Sequence, residues 1–496
     1  MVLDWTSRPL LAVLVSLLAA ALIVISGRRP NLRESWTLLA ALAKFAIVFS
    51  LLADVFAGHY PQVTLFEAAP GISFALRVDP LGLGFALSAS LLWILTSIYS
   101  IGYMRALKEE HQTRYFASFA ICLSSTIGIA FAANLMTFLI FYEVLTIATY
   151  PLVVHKGSAE AVAAGRKYLV YLLTAGGALL LAVAWTHTLA QSLDFRAGGI
   201  FPGSVGTTEL ALLLFLFVVG VGVKGGLMPL HGWLPSAMVA PTPVSALLHA
   251  VAVVKAGVFG LARVVGFVYG GDLLQAIGAA NALAAVAGAT IILASLLALA
   301  QDNLKRRLAY STVGHLSYII LGIALVEPEA WRGGLYHIVT HAAMKITLFF
   351  CAGAIYAKTH RENISELDGI GRQMPITLGA FAIASLGLAG VPPLGGFVSK
   401  WFLAQGTVAA GQPWLLAVLL LSGLLNAAYF FPIVARAFFR HSDRFDKFAE
   451  ASPLMTVPIV VTAALSVMLG VFPNAFFHWF ALADRATLSV FAGGAQ

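Results

Sequence analysis

Charged residues are scarce in this sequence: Asp, Glu, Lys and Arg together make up only 10% of its 496 residues. Water-soluble domains contain about 25% charged residues. Because hydrophobic residues make up 60% of the chain, a soluble fold would leave far too much apolar surface in contact with water. The composition therefore excludes an ordinary soluble protein and favours a polytopic membrane protein, in which about 20 apolar residues span the bilayer.

Cysteine is rarer still, with two residues, and motifs for redox chemistry are absent from the sequence. Cys122 and Cys351 lie in separate apolar runs and form no CxxC pair, iron–sulfur pattern or disulfide framework. The sequence has no nucleotide-binding loop or haem motif, so we expect no cofactor and no enzymatic activity of the chain by itself. The net charge of +8 comes from short basic clusters between apolar runs, which argues against nucleic acid as a partner.

The apolar runs predict about 14 transmembrane helices. They lie near residues 9–26, 35–56, 80–104, 113–132, 134–154, 165–190, 208–228, 242–266, 273–300, 305–325, 332–357, 375–404, 413–437 and 453–473. The first run is followed, not preceded, by Arg28 and Arg29, so we interpret it as an uncleaved span and not as a signal peptide.

Basic residues are concentrated in every second loop. Six loops of one parity hold 19 of the 30 lysines and arginines, whereas the other side holds only Arg8, Arg77, Arg196, Arg263, Arg332 and Arg485. The positive-inside rule therefore predicts that the basic loops lie on the cytoplasmic side of a bacterial-type inner membrane. With an even number of spans, both termini are predicted on the periplasmic side.

Ionisable side chains also occur inside the predicted spans. Glu143 is the only charged residue between Tyr115 and Val154, and an isolated charge at that depth costs about 2.5–3.5 kcal/mol. Five lysines share this location: Lys44, Lys224, Lys255, Lys345 and Lys400. Burial destabilises an ammonium and a nearby carboxylate stabilises it, so such a set can load and release protons. The alternative is that these charges only fix helix packing.

Lys44 is the exception among the five lysines. It lies within two turns of the first basic loop, so we expect its ammonium to reach the interface by snorkelling, in a structural role.

Histidines extend the polar pattern. His337, His341 and Lys345 are spaced by four residues on one helix face and rise about 12 Å. Ser311, His315 and Tyr318 form a similar stripe on the preceding span. HxxxH can bind zinc, but no carboxylate or cysteine nearby completes a site, so no metal is expected. A stripe that holds water is favoured, with purely structural histidines as the alternative.

Two further histidines are less readily placed. His249 lies six residues before Lys255 and on a different face, so a bridging group is required between them. The role of His231, in an uncharged loop, stays open.

Two spans are interrupted by proline and glycine. Pro229 and Pro235 break the chain near the seventh span, and Pro392 and Pro393 break the twelfth. Such interruptions in two halves indicate inverted repeats around a midplane site. We therefore predict an all-α membrane fold with two inverted five-helix repeats and broken helices 7 and 12. Its predicted parts are residues 1–104 (three helices), 113–266 (first repeat), 273–437 (second repeat) and 453–496 (last span and tail).

The motifs FYEVLTIATYPLV, KGGLMPLHGWLPSAMVAPTPVSALLHAVAVVKAG, HAAMKITLFFCAGAIY and GVPPLGGFVSKW together resemble the antiporter-like subunits. This family includes the D-type component of Mrp-type multisubunit cation/proton antiporters and the proton-pumping membrane subunits of respiratory complex I and membrane-bound hydrogenases. The resemblance implies a 14-helix fold in which a central hydrophilic axis joins two half-channels.

Position by position, the resemblance assigns roles to the buried charges. Glu143 resembles the fifth-span glutamate, and Lys224 the seventh-span lysine paired with it. Lys255 resembles the connecting lysine of the eighth span, Lys345 an eleventh-span lysine of some members, and Lys400 the twelfth-span lysine near the exit. One complex I subunit has glutamate at this last position, and the chain ends soon after its fourteenth span; both points favour a protein like the D-type component of Mrp antiporters.

The function that the resemblance implies is proton translocation along this axis within a multisubunit cation/proton antiporter. The alternative is an antiporter-like subunit of a complex I-type NADH-quinone oxidoreductase or a membrane-bound hydrogenase; a scaffold without its own path is a further one. Expected partners are other membrane subunits, the lipid bilayer, and H⁺ with Na⁺ or K⁺. No cluster of carboxylates in the sequence selects the cation.

Overall fold

The computed structural model describes residues 7–492, and the prediction of an all-α polytopic membrane fold is confirmed. Eleven helices of this part of the chain are long and apolar enough to cross a membrane. The helices are α1 Arg8–Ile25, α2 Pro30–Phe56, α3 Pro80–Ala106, α4 Gln112–Phe131, α5 Leu135–Val153, α6 Ala159–Ala190, α7 Thr207–Gly222, α8 Trp233–Ser236, α9 Thr242–Ala246, α10 Val253–Arg263, α11 Gly271–Ala276, α12 Ala279–Leu299, α13 Leu304–Ala324, α14 Pro328–Thr359, α15 Pro375–Ala389, α16 Gly395–Ala409, α17 Pro413–Phe439, α18 Pro453–Val471 and α19 Trp479–Ala492.

Helix ends follow local capping chemistry. The predicted turn between the fourth and fifth spans is present, and the side chain of Asn134 accepts a hydrogen bond of 2.9 Å from the backbone N–H of Thr137. An Asn at this position satisfies one of the four N–H groups that have no partner within the helix. This cap fixes where α5 begins, and hence the depth of Glu143 in the bundle.

Both predicted helix breaks are present. Helix α7 ends at Gly222, and turns lead to the short helix α8; α15 ends at Ala389 and α16 begins at Gly395. In the first break the indole N–H of Trp233 donates a hydrogen bond of 2.8 Å to the carbonyl of Val223, which lies just beyond the end of α7. This is how non-helical backbone is satisfied inside a membrane bundle.

The centre of the bundle is formed by the segment 242–269 and by α14, whose most apolar windows are entirely buried. The segment 242–269 is less regular than the single helix predicted there, because π-helical turns at 247–251 and 264–269 flank α10. Gly257 of α10 permits a close approach, since a Cβ at this position would overlap the backbone of Gly225 in the first break. Helices with exposed apolar faces surround this centre.

The basic loops meet at one end of the bundle, which we call the basic end. Arg33 bonds to Gln112 at 2.7 Å, and Arg114 bonds to the carbonyl of His155 at 3.0 Å. At the other end, which we call the opposite end, Arg77 bonds to the carbonyl of Phe195 at 2.8 Å. These three arginines therefore lie at the ends of the bundle to which the loop charges assign them.

Two elements at the opposite end were not predicted. Strands β1 (Gln62–Ala69) and β2 (Ile72–Arg77) form an antiparallel hairpin between α2 and α3. Within the predicted tail, α19 packs against α3 and α14. It buries Trp479, Leu482, Ala483, Ala486 and Val490. This 3.6-residue spacing is a signal that the sequence did contain. The inverted repeats and the four-part division stay predictions.

Candidate functional site

The ionisable residues selected from the sequence lie in the interior of the bundle. Seven of them are at most 1% exposed: Lys224, His249, Lys255, His315, His337, His341 and Lys345. Glu143 and Lys400 are half-buried. Because an unpaired charge in such surroundings is costly, the contacts of each residue decide what it can do.

Lys224 lies in the break that follows α7 and points at α5. Its Nζ donates a hydrogen bond of 2.5 Å to the backbone carbonyl of Tyr142 and lies 3.3 Å from the centre of the Tyr142 ring. The predicted ion pair with Glu143 is not formed, and Oε1 of Glu143 has no hydrogen-bond partner among residues 7–492. The carboxylate faces Gly176 of α6 instead.

Lys255 and His341 connect α10 to α14. Nζ of Lys255 lies 2.8 Å from Nδ1 of His341. His249 does not take part in this contact; it lies in the π-helical turn before α10, its ring is 4.8 Å from that of Phe349, and neither ring nitrogen has a partner in the described chain. His249 and Lys255 therefore make no hydrogen bond to each other, as their spacing predicts.

The imidazoles of α13 and α14 form a continuous cluster. Nδ1 of His315 lies 3.1 Å from Nε2 of His337, and Nδ1 of His337 lies 2.8 Å from the hydroxyl of Ser399. The His315 and His341 rings are 5.4 Å apart between centres, and the Nε2 atoms of both lack a partner in the described residues. The predicted polar stripes on two helices thus face each other, and the contact with Ser399 extends the cluster to α16.

Lys400 follows Ser399 and binds the end of the broken helix. Its Nζ donates hydrogen bonds to the carbonyls of Leu388 (2.6 Å) and Ala389 (3.2 Å), the last residues of α15. Carbonyls at a helix C-terminus have no partner within the helix and favour a cation. Lys345 binds a different helix, with its Nζ 3.1 Å from the carbonyl of Leu308 in α13.

Sequence reasoning missed a second chain of polar groups that reaches Lys400. The hydroxyl of Ser311 lies 2.8 Å from that of Tyr429, Tyr429 bonds to Asn426, and Asn426 donates to the carbonyl of Leu388 at 3.4 Å. Lys400 binds the same carbonyl. An asparagine in the apolar run of the thirteenth span is the signal that could have revealed this chain.

Lys44 does not snorkel to the interface as expected. It is fully buried, its Nζ lies 5.0 Å from the centre of the Trp93 ring, and it has no hydrogen-bond partner in the described part of the chain. The reason is that α2 begins at Pro30, so Lys44 lies 14 residues into the helix, about 21 Å from its start. A lysine side chain cannot cover that distance.

A cavity of about 460 Å³ opens at the basic end beside the first helix break. Lys156, Glu160, Lys305 and Glu362 contribute to its lining, and Nζ of Lys305 bonds to the carbonyl of Ala240 at 2.9 Å. The uncharged loop 229–241 thus acquires a basic partner from α13. His231, in the same loop, packs its ring 6.1 Å from that of Tyr310, and burial lowers its pKa.

Two titratable groups lie close together in the loops of the basic end. Nε2 of His155 is 3.9 Å from a carboxylate oxygen of Glu109. Burial lowers the pKa of His155 to about 4, and the nearby Arg114 adds to this effect. Burial raises the pKa of Glu109, against the opposing influence of Lys156 and Lys305. His155 is therefore neutral at pH 7, and the contact is not a salt bridge there.

Comparison with known proteins gives two family matches. Residues 132–426, which include the whole candidate site, match the model for the transmembrane part of NADH:quinone oxidoreductase and Mrp antiporter subunits. Residues 68–116 match the model for the N-terminus of chain 5 of NADH-ubiquinone oxidoreductase (complex I). Together the two matches cover α3 and the chain from α5 to the middle of α17, and leave out most of α4.

Individual relatives extend over nearly the whole chain. NADH-quinone oxidoreductase subunit N of Desulforudis audaxviator is 32% identical over 94% of this chain and 95% of its own. A chain of the Mrp complex from Dietzia sp. DQ12-45-1b superposes with a TM-score of 0.87 at 21% identity, covering 99% of this chain and 98% of its own. A chain of an archaeal membrane-bound sulfane sulfur reductase superposes with a TM-score of 0.89 at 23% identity, covering 98% and 99%. These two likenesses establish the fold.

Proposed function

The chain belongs to the NADH:quinone oxidoreductase/Mrp antiporter transmembrane family, and from this premise we propose that it is a proton-translocating subunit of a multisubunit cation/proton antiporter. The observation that carries the proposal is the series of amines and imidazoles inside the bundle, which leads from Lys255 through the histidine cluster to the helix break at Lys400. A bundle that only needed stability would gain from apolar residues at these positions, since buried ionic groups rarely add net stability.

The proposed path begins at the basic end, taken as the cytoplasmic side, and reaches Lys224 through the first helix break. It continues past His249 to Lys255. An ammonium at Lys255 donates to Nδ1 of His341 over 2.8 Å, and transfer of that proton leaves a neutral amine and an imidazolium. Geometry of this kind, with donor and acceptor at hydrogen-bond distance, is what proton transfer requires.

From His341 the proton passes over one water to His315, because the Nε2 atoms of both rings lack a partner in the described residues and their ring centres are 5.4 Å apart. The contacts of His315 with His337 and of His337 with Ser399 carry it to the helix break at Lys400. Lys400 releases it toward the opposite end, taken as the periplasmic side. Lys345 lies beside this path and tunes it through its charge.

Glu143 is the proposed gate. When its carboxylate moves toward Lys224, the ammonium of Lys224 is stabilised; when it faces Gly176, as in this structure, Lys224 releases its proton more readily. Moving one charge through 100 mV corresponds to about 2.3 kcal/mol, which an ion pair in a water-poor site can match.

Transport by variants in the assembled complex tests the proposal. We expect Glu143→Ala and Lys224→Ala to abolish coupled cation/proton exchange in vesicles while the complex still assembles. Lys44→Met is the matched control, because it removes a buried lysine that lies outside the proposed path. Full transport by both Glu143→Ala and Lys224→Ala would refute the proposal.

A second candidate is an antiporter-like subunit of a complex I-type oxidoreductase. It is favoured by the 32% identity to NADH-quinone oxidoreductase subunit N over 95% of that protein. Purification of the native complex separates the two: flavin- and iron–sulfur-containing partners indicate the oxidoreductase, and small partners confined to the membrane indicate the antiporter. From the loop charges we also propose that both termini lie on the periplasmic side; residues 1–6 and 493–496 lie outside the described residues.

A further inference from the structure

We propose that a second route to the aqueous phase branches from Lys255 and ends in a charged cavity at the opposite end, with the rings of Phe259 and Phe85 as its gate and the ion pair between Arg263 and Asp79 between that gate and the cavity. The inference rests on the proposed function, since it extends the same path. Its starting point is a stripe with a spacing of four residues, which places Lys255, Phe259, Arg263 and Phe267 on one side of α10 and the turn after it. This stripe spans about 18 Å.

The cavity at the outer end of the stripe combines charged and apolar side chains from distant parts of the chain. Its volume is about 390 Å³, which is enough for several water molecules. Its lining includes Arg77, Asp79, Asp194, Arg196, Phe267 and Ser489. Four charged side chains around one cavity keep water there energetically favourable. The proposed function does not use this cavity, because its path leaves through Lys400.

The ion pair lies at the inner wall of this cavity. The guanidinium of Arg263 makes two hydrogen bonds to the carboxylate of Asp79, one of them 2.9 Å long, and is only 1% exposed. Nε of Arg263 has no partner among residues 7–492. The loop charges assign Arg263 to the opposite side, but in the structure its side chain is buried. Asp79, to which it is bonded, lines the cavity.

Aromatic rings surround the guanidinium on both the cavity side and the inner side of the ion pair. Phe267 and Phe195 line the cavity, and their ring centres lie 5.0 and 5.2 Å from Cζ of Arg263. Phe259 lies on the inner side, one turn from Lys255; its ring centre is 5.1 Å from Cζ of Arg263 and 5.0 Å from that of Phe85 in α3.

The pair of phenyl rings separates Lys255 from the ion pair. Phe259 is fully buried and Phe85 nearly so, and neither ring offers a polar atom. Protons do not cross such a contact, so the branch is closed in this structure. Displacement of Phe259 would connect Lys255 to Asp79, which then serves as the proton acceptor at the cavity. Phe259 and Phe85 form the plug, and Asp79 and Arg263 set the charge beyond it.

Cysteine accessibility in the assembled complex tests this route without measuring transport. In a background with Cys122→Ala and Cys351→Ala, Lys255→Cys is exposed to a small cationic, membrane-impermeant methanethiosulfonate added only at the opposite end. We expect slow labelling when Phe259 is intact and labelling faster by several-fold when Phe259→Ala is added. Phe259→Leu, which keeps an apolar side chain of similar size, is the matched control and should stay slow.

Ser489→Cys reports on the cavity itself and should be labelled quickly in every background, because Ser489 lines the cavity. In vesicles, Phe259→Ala should also increase passive proton leak several-fold, and adding Asp79→Asn should suppress that leak. The proposal is overturned if Ser489→Cys is not labelled in the complex, or if Phe259→Ala changes neither labelling nor leak. Coupled transport in Lys224→Ala tests only the main path, whereas labelling and leak in Phe259→Ala test only the second route. Each proposal can therefore be refuted without the other.

Discussion

Nζ of Lys255 lies 2.8 Å from Nδ1 of His341 and thereby joins the two groups of five spans that the sequence predicts as repeats. Lys255 belongs to α10 of the first group and His341 to α14 of the second. Both side chains are almost completely buried. A proton that moves from one half of the bundle to the other therefore has a direct hydrogen-bonded link at this position.

Removing the titratable group from this link should stop transport without unfolding the bundle. His341→Gln keeps a polar side chain of similar size that cannot take up a proton near neutral pH, and we expect the rate of coupled transport to fall by about 10²-fold. The measurement is proton uptake into vesicles that contain the assembled complex. His231→Gln, in the loop at the basic end, serves as the control and should keep most of the rate. An unchanged rate in His341→Gln would show that protons bypass this contact.

Two adjacent glycines of α6 offer a matched test of the Glu143 gate. A Cβ on Gly176 would overlap the carboxylate of Glu143, whereas a Cβ on Gly177 would meet no atom within 4 Å. Gly176→Ala should therefore move the carboxylate of Glu143 into a new position, at little cost in stability because the carboxylate is the end of a flexible side chain. Coupled transport should change in Gly176→Ala and stay at the wild-type value in Gly177→Ala. Equal behaviour of the two variants would contradict the observed position of the carboxylate.

Lys44 should be replaceable with a gain in stability. It is a buried amine without a hydrogen-bond partner in the described chain, beside Trp93. Replacing a buried ionic group by a well-packed apolar one often stabilises a protein by about 1–4 kcal/mol. We expect Lys44→Met to raise the midpoint of thermal unfolding in detergent and Lys44→Gln to raise it less, because the amide also lacks a partner. A lower midpoint for Lys44→Met would point to a role for the amine.

The spans and the list of buried ionisable residues could be predicted because charge is so rare in this chain. Glu143 and Lys400 are conspicuous in apolar runs, and Pro229 and Pro392 mark breaks that the structure contains. Long apolar runs and helix breakers act locally, so they are visible in the sequence without knowledge of the fold.

The pairing of these residues could not be predicted, because it depends on backbone geometry. Lys224 binds the carbonyl of Tyr142 and not the adjacent carboxylate, since its position in a non-helical break sets the direction of its side chain. The carbonyls that hold Lys400 are available only because α15 ends at Ala389. Likewise, the ion pair between Asp79 and Arg263 joins residues 184 positions apart, and no local sequence pattern predicts it.

The stability of the basic end should depend on pH through His155. Burial and the nearby Arg114 lower its pKa to about 4 in the folded protein, whereas the ordinary value for histidine is 6.5. Between these values the unfolded chain binds more protons than the folded one, so stability rises with pH over this window and is lost as pH falls from 6.5 through 4.

The measurement is thermal unfolding in detergent at a series of pH values from 4 to 7, compared between the wild type and His155→Gln. Because the glutamine cannot take up a proton, the variant should lose less stability on acidification than the wild type does. Glu109 acts with the opposite sign, since burial raises its pKa and its contribution is lost as pH rises through that raised value. The same experiment on Glu109→Gln should therefore still show the loss of stability between pH 6.5 and 4. If the wild type and His155→Gln lose the same stability on acidification, the assignment to His155 is contradicted.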